Sequence, residues 1–256
     1  MFGFNWIALY FVYKKETLRF LKIYHQTIFT PAINALLFYS VFTLAFGAKA
    51  GLGGNISFQL IIASGLTIMS VLQNCYTNSS SSLALSKVQG HLTDYLIPPI
   101  KTSEILIAHI AASFTRGVIC AVAVWLSLTY FSGMWIVKPL WLLFYLTASC
   151  VIFACLGVIF GSMSNSFDRN HAYNTYFISP LTFLSGTFYQ VSSLPVFWQK
   201  LIKLNPVYYM IDGFRYGATG YSDIVSHANS SIYLTATCVL TYCIALFCLK
   251  KYYKIS

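Results

Sequence analysis

The sequence predicts an all-α, polytopic membrane protein with six transmembrane helices. Three observations carry that prediction. The chain is 57% hydrophobic and only 9% charged, against about 25% charged residues in a soluble domain. Its mean hydropathy is +0.68. Six apolar stretches each approach the roughly 20 residues needed to cross a bilayer: 28–47, 58–78, 105–131, 140–163, 171–190 and 232–249. The whole chain, 1–256, reads as one transmembrane domain. Residues 1–27 hold a surface helix, 28–190 the first five spans, 191–231 an outer re-entrant segment, and 232–256 the sixth span and a tail.

Before the first span, 3–26 is expected to be an interfacial helix. Lys15, Arg19, Lys22 and Gln26 make one narrow polar stripe, and Phe11, Leu18, Leu21 and Tyr24 supply apolar surface elsewhere. Such a helix lies along the membrane with its cationic side toward anionic head groups or a protein partner. The opening is no cleavable signal, because the apolar run precedes Lys14 and Lys15.

Orientation follows from the basic residues between spans. With both termini inside, ten lie on the inner side, from Lys14 to Lys254, and five on the outer: Lys49, Lys138, Lys200, Lys203 and Arg215. The excess places both termini in the cytoplasm. This asymmetry also accounts for the net charge of +10 without nucleic acid, for which no basic face with stacking aromatics exists outside the apolar segments.

Within the second span, Thr67, Ser70, Asn74, Thr77 and Asn78 fall on one arc of about 100°. That face must avoid lipid, against other helices or along a water-lined path. The loop after it, "LALSKVQGHLTDYLI", reads as a short amphipathic helix stopped by Pro98-Pro99. Leu83, Leu92, Leu96 and Ile97 would be available on it for docking another protein. In the third span Arg116 lies about 11 residues deep, ~16 Å by helical rise. No acid sits mid-span, so its partner is expected to be a carbonyl, a hydroxyl, another subunit or an anionic ligand.

Catalytic and metal chemistry find no pattern. The five histidines are dispersed, the six acids form no intramembrane pair, and the seven cysteines do not share a helical face. The run "GAKAGLGG" at 47–54 lacks the Gly-Lys-Ser/Thr ending of a phosphate-cradling loop. A lipid-modifying enzyme would need clustered His, Asp or Glu near an interface. A channel or secondary transporter would favour mid-span ionisable relays or repeated halves, and only Arg116 is present.

Between the fifth and sixth spans, "PLTFLSGTFYQVSSLPVFWQKLIKLNPVYYMIDGFR" (180–215) is apolar yet broken by Gly186, Pro195 and Pro206 into pieces too short to cross. Its Leu-Ser-Gly, Leu194-Pro195 and Asn205-Pro206 followed nine residues later by Arg215, with the six spans and the N-terminal helix, resemble the permeases of type-2 ATP-binding-cassette exporters. "GHLTDYLIPPIKTSEIL" resembles that family's first cytoplasmic loop, with Asp94 where Glu is more usual; Val207 replaces a bulkier residue. The resemblance implies a half-size permease of a bacterial-type cytoplasmic (inner) membrane, paired with a second copy and with a separate ATPase subunit that binds ATP and Mg. It implies ATPase docking through Lys15, Arg19, Leu83, Lys87, Leu92, Asp94 and Leu96. It implies a path near Thr67, Ser70, Asn74 and Arg116, and a re-entrant outer lid turning at Gly186, Pro195, Pro206 and Arg215. Broken backbone at membrane depth is permitted only where protein or water satisfies it.

Overall fold

A stretch that is apolar on all sides is stable only when other helices or lipid surround it, and the two cases separate cleanly here. The structure is a computed structural model describing residues 4–46, 57–90, 100–224 and 226–255. Its elements are α1 (Trp6–Leu21), a π turn (His25–Phe29) leading into α2 (Thr30–Phe46), α3 (Phe58–Val88), α4 (Thr102–Ser132) and α5 (Pro139–Met163). Next come α6 (Phe167–Tyr173), a second π turn (Asn174–Ile178), α7 (Ser179–Phe183), α8 (Val196–Lys203), α9 (Pro206–Thr219) and α10 (His227–Ile255). The described residues contain no strand.

Five helical segments are long and apolar enough to cross a membrane: His25–Ala45, Phe58–Val88, Thr102–Ser132, Pro139–Met163 and His227–Tyr253. α3 is the central one, largely buried among α2, α4, α5 and α9. α2 and α10 are peripheral and turn Leu37, Val41 and Leu44, or Val239, Leu240 and Phe247, outward. α5 reaches α3 closely because Gly157 and Gly161, four apart, leave no Cβ between the helices. A Cβ at Gly157 would stand 2.5 Å from the Tyr76 carbonyl oxygen, and one at Gly161 2.9 Å from Ser80 Cα. Small residues at this spacing let backbones approach where lipid gives no hydrophobic drive between helices.

Two expected boundaries are corrected. The second span does not end at 78 with a separate helix beginning near 83. α3 continues to Val88 and stops at Gln89-Gly90, where Gly90 takes φ +71°. Its Ser and Thr hydroxyls bond back to carbonyls of the preceding turn, as Ser86 does to Ser82, so polar residues prolong the helix instead of breaking it. The expected span 171–190 is a 17-residue helical run, 167–183, interrupted by the π turn. Ser166 opens it by accepting from the Arg169 backbone N–H.

Contacts sort the molecule into two ends. α1, the end of α3, the start of α4 and the end of α10 share one cluster through Val12, Leu83, Ile105, Leu249 and Tyr252. Glu104 ties the starts of α1 and α4 by accepting from the backbone N–H groups of Asn5 (2.8 Å) and Lys101 (2.9 Å). At the opposite end, α9 and the start of α10 meet the start of α5 through Gly217 O, Tyr145 and Ser230.

Candidate functional site

Polar groups inside a membrane-spanning bundle mark its working parts, since each must find a partner or a wet cavity. The largest such group joins α1, α3 and α4. Glu16, 1% exposed, accepts from Ser82 Oγ (2.7 Å) and from Arg19 Nε (3.1 Å). Arg19 Nη2 donates to the Asn78 backbone carbonyl (2.8 Å) and to Asn78 Oδ1 (3.1 Å), and Nη1 to Ser81 Oγ (3.2 Å). Arg116 reaches the same Asn78 Oδ1 from α4 at 3.5 Å and grips Asn74 Oδ1 with Nε (3.2 Å) and Nη2 (3.0 Å). Asn78 Nδ2 donates to Ser113 Oγ, itself 2.8 Å from Ser79 Oγ. Burial opposes ionisation of Glu16, but His109, Arg19 and the Ser82 hydroxyl outweigh it and hold the carboxyl below its ordinary value.

Beside Asn74 a cavity of about 210 Å³ opens between α2, α3 and the second π turn. α2 and its π turn contribute Gln26, Thr30 and Asn34, α3 contributes Ser70, Gln73, Asn74 and Thr77, and Asn174 closes it. None of the described lining residues is charged. It lies midway along α3.

At the other end, a buried knot holds the segment between α7 and α10. Asn205 caps α9 by accepting from the Val207 N–H and donates to Ser185 Oγ (2.7 Å). Arg215, 1% exposed, donates to Asp212 Oδ1 (3.0 Å) and to the Gly186 carbonyl (2.6 Å). Asp212 Oδ2 also accepts from Ser222 Oγ and the N–H groups of Asp223 and Ile224. Burial pushes the Asp212 carboxyl up against the pull of Arg215. Gly186 turns with φ +85°, Pro195 caps α8 and Pro206 is the first residue of α9. α8 exposes Val196, Phe197, Trp198 and Leu201.

Several sequence expectations need correction. Leu83 is 0% exposed, packed among Val12, Ile105 and Leu249, and presents no docking surface. Arg19 turns into the protein toward α3 instead of outward, because buried Glu16 one turn earlier draws it in. Thr67 is fully buried and bonds the Ala63 carbonyl, so it does not line the cavity that Ser70 and Asn74 line. Of the partners expected for Arg116 (a carbonyl, a hydroxyl, another subunit or an anionic ligand), the structure shows carbonyl oxygens of the Asn74 and Asn78 side chains. Lys15 is exposed, and Lys87 donates to Asn165 Oδ1 at 2.6 Å. Leu92, Asp94, Leu96 and Ile97, like the 47–54 run, lie outside the described residues. Missed altogether were Glu16 and Asp212; each sits three residues before an arginine on one helix, a spacing that signals an ion pair.

A helical bundle with long apolar segments and an uncharged polar cavity beside its central helix is an architecture suited to a membrane transport protein. Residues 7–218 match the family described as ABC-2 type transporter, and the chain belongs to that family. It is 33% identical over 224 residues to the inner membrane transport permease YadH of Escherichia coli K12, covering 88% of each chain. It is also 23% identical over 220 residues to nodulation protein J of Rhizobium leguminosarum bv. viciae, covering 83% of this chain and 82% of that one. The chain is thus a membrane permease subunit of an ABC transporter, a class that works with an ATPase partner.

Proposed function

We propose that the chain forms the membrane half of an exporter: two copies, each with six crossings counting 167–183 as the fifth, driven by two copies of a separate ATPase. Both termini face the cytoplasm of an inner membrane, and an amphiphilic or lipid-linked molecule or a drug moves outward. The basic-residue asymmetry supports the orientation, and the permease named as an inner membrane protein supports the location. One observation carries the reading. The polar cavity is backed by Arg116, and Arg116 meets Arg19 of the N-terminal helix at a single oxygen, Asn78 Oδ1, with Glu16 holding Arg19 from behind. Movement of α1 at the ATPase end therefore reaches the cavity wall through side chains in direct contact. The outer knot at Asp212 and Arg215 serves as the lid over the path.

The test is purification of the tagged chain from its native membrane in a mild detergent. An ATPase at equal stoichiometry is expected, with hydrolysis that slows when Arg116 is replaced. A chain that purifies without any ATPase at normal yield would sink the exporter reading.

A further inference from the structure

At the end of the bundle that holds the Asp212–Arg215 knot, a second cavity of about 340 Å³ opens between the end of α8, the start of α9 and the start of α10. It shares no lining residue with the cavity beside Asn74. Lys203, Tyr208, Tyr209, Asp223 and Tyr233 supply its chemistry. Asp223 is held in place by its backbone N–H, which donates to Asp212 Oδ2 (2.9 Å). Its carboxylate accepts from the Val191 N–H, the Ser192 hydroxyl and the Tyr221 hydroxyl. All three donors are neutral, and Oδ2 takes only the first of them, which leaves it a lone pair. The tyrosine rings stand in a row, with centroids 5.1 Å apart from Tyr208 to Tyr209 and 5.1 Å apart from Tyr209 to Tyr233. The Tyr209 and Tyr233 hydroxyls donate to the Lys203 and Leu204 carbonyls, fixing both rings against the end of α8. Tyr208 is 2% exposed, and its hydroxyl has no described partner.

A carboxylate bonded only by neutral donors, beside a row of aromatic rings, suits an ammonium group through charge, N–H bonds and ring faces together. Other occupants fit less well. A neutral hydroxylated head would leave the Asp223 charge unanswered, and a bare anion would be repelled by it. A calcium ion takes about six to eight oxygens, and Asp223 is the one acid among the described lining residues. A quaternary ammonium would meet the rings but has no N–H for the lone pair on Oδ2. Lys203, exposed on the same cavity, disfavours a bare amine and suits an anionic group next to the ammonium. Around the same turn of α8, Leu201, Ile202 and Leu204 line an apolar groove of about 390 Å³ together with Leu181 and Leu184. We propose that this end of the bundle binds a phospholipid that carries a primary ammonium beside its phosphate. The ammonium sits on Asp223 and the tyrosine rings, the phosphate on Lys203, and an acyl chain in the apolar groove. The proposal is independent of the exporter reading, since neither a direction of transport nor an ATPase enters it.

The purified full-length chain in mild detergent is titrated with phosphatidylethanolamine, phosphatidylcholine and phosphatidylglycerol of identical acyl chains, and binding is read by native mass spectrometry. Phosphatidylethanolamine is expected to bind about tenfold more tightly than either of the others, the worth of one charge-assisted bond. Asp223→Asn is expected to abolish that preference, whereas Lys203→Gln is expected to weaken all three lipids alike. If Asp223→Asn loses the fold, Tyr233→Leu takes its place and is expected to weaken phosphatidylethanolamine about threefold through the lost ring face. Glycerophosphoethanolamine, the same head without acyl chains, is expected to bind far more weakly than the lipid. Equal affinity would make the free head group the ligand and overturn the lipid assignment. Equal binding of phosphatidylethanolamine and phosphatidylcholine would remove the N–H bond to Asp223, and the proposal with it. Tighter phosphatidylglycerol binding would make this an anion site on Lys203 and overturn the proposal. A phosphatidylethanolamine preference that survives every variant would place the lipid elsewhere and overturn it too.

Discussion

Arg116 and Arg215 are both buried arginines in a membrane protein, and their charges are met in opposite ways. Arg215 has a carboxylate three residues back on its own helix, and three further donors pin the other oxygen of that carboxylate. The charges match one for one and every partner lies between residues 186 and 224. Among the described residues, Arg116 has no carboxylate in direct contact. Its partners are neutral amide oxygens on another helix, one of them shared with Arg19, and of the two cations Arg19 bonds the acid, Glu16. Neutral dipoles hold a cation less firmly than a matched carboxylate does. The Asp212–Arg215 knot is therefore a closed clasp, and the Arg116–Asn78–Arg19 network is a joint that can change partners.

The contrast breaks most sharply at Arg215. Arg215→Met leaves Asp212 buried without its cation and is expected to cost about 3–5 kcal/mol, read as a fall in thermal midpoint of the purified chain. A midpoint unchanged from wild type would show that the clasp does not hold residues 186–224 together.

A smaller effect is expected from Glu16→Gln, about 1–3 kcal/mol, because Arg19 keeps its bonds to Asn78 and Ser81. This loss depends on pH. The Glu16 carboxyl sits below its ordinary value of 4.5, so its contribution is complete above that pH and fades as the pH falls through the lowered folded value. Wild type and Glu16→Gln should therefore converge in stability on acidification below about 4.5. A constant gap across that range would contradict a charged Glu16.

The smallest stability change is expected at the most functional position. Arg116→Leu removes a charge whose insertion costs on the order of 3 kcal/mol, offsetting the lost bonds, so the folded yield should hold while transport per folded molecule falls. Arg116→Lys should restore transport only in part, since an ammonium lacks the planar fork that spans Asn74 and Asn78. Proportional loss of fold and transport would instead make Arg116 a structural tie.

Much of this was legible in the sequence, and the gaps have physical causes. Hydropathy located the long apolar helices because crossing requires a minimum apolar length. It misjudged 171–190 because a π turn leaves no trace in composition. The arc from Thr67 to Asn78 was visible, but an arc does not say which members face a cavity. Thr67 bonds its own backbone, and Ser70, Asn74 and Thr77 line the open side. Arg19 looked like a surface cation because its stripe was read by charge alone, without weighing Glu16. The turns at Gly186, Pro195 and Pro206 were readable because those residue types restrict or free the backbone directly.

The π turns at 25–29 and 174–178 have a consequence for the chain's history of insertions and deletions. Each holds one residue more than a regular α turn, and each carries one amide of the cavity. Deleting a single residue from either would restore regular winding and rotate one side of the helix against the other by about 100°, with a shift of ~1.5 Å. Gln26 or Asn174 would leave the cavity while every long apolar helix stayed intact. Relatives that differ by one residue within these turns should fold alike and handle different molecules.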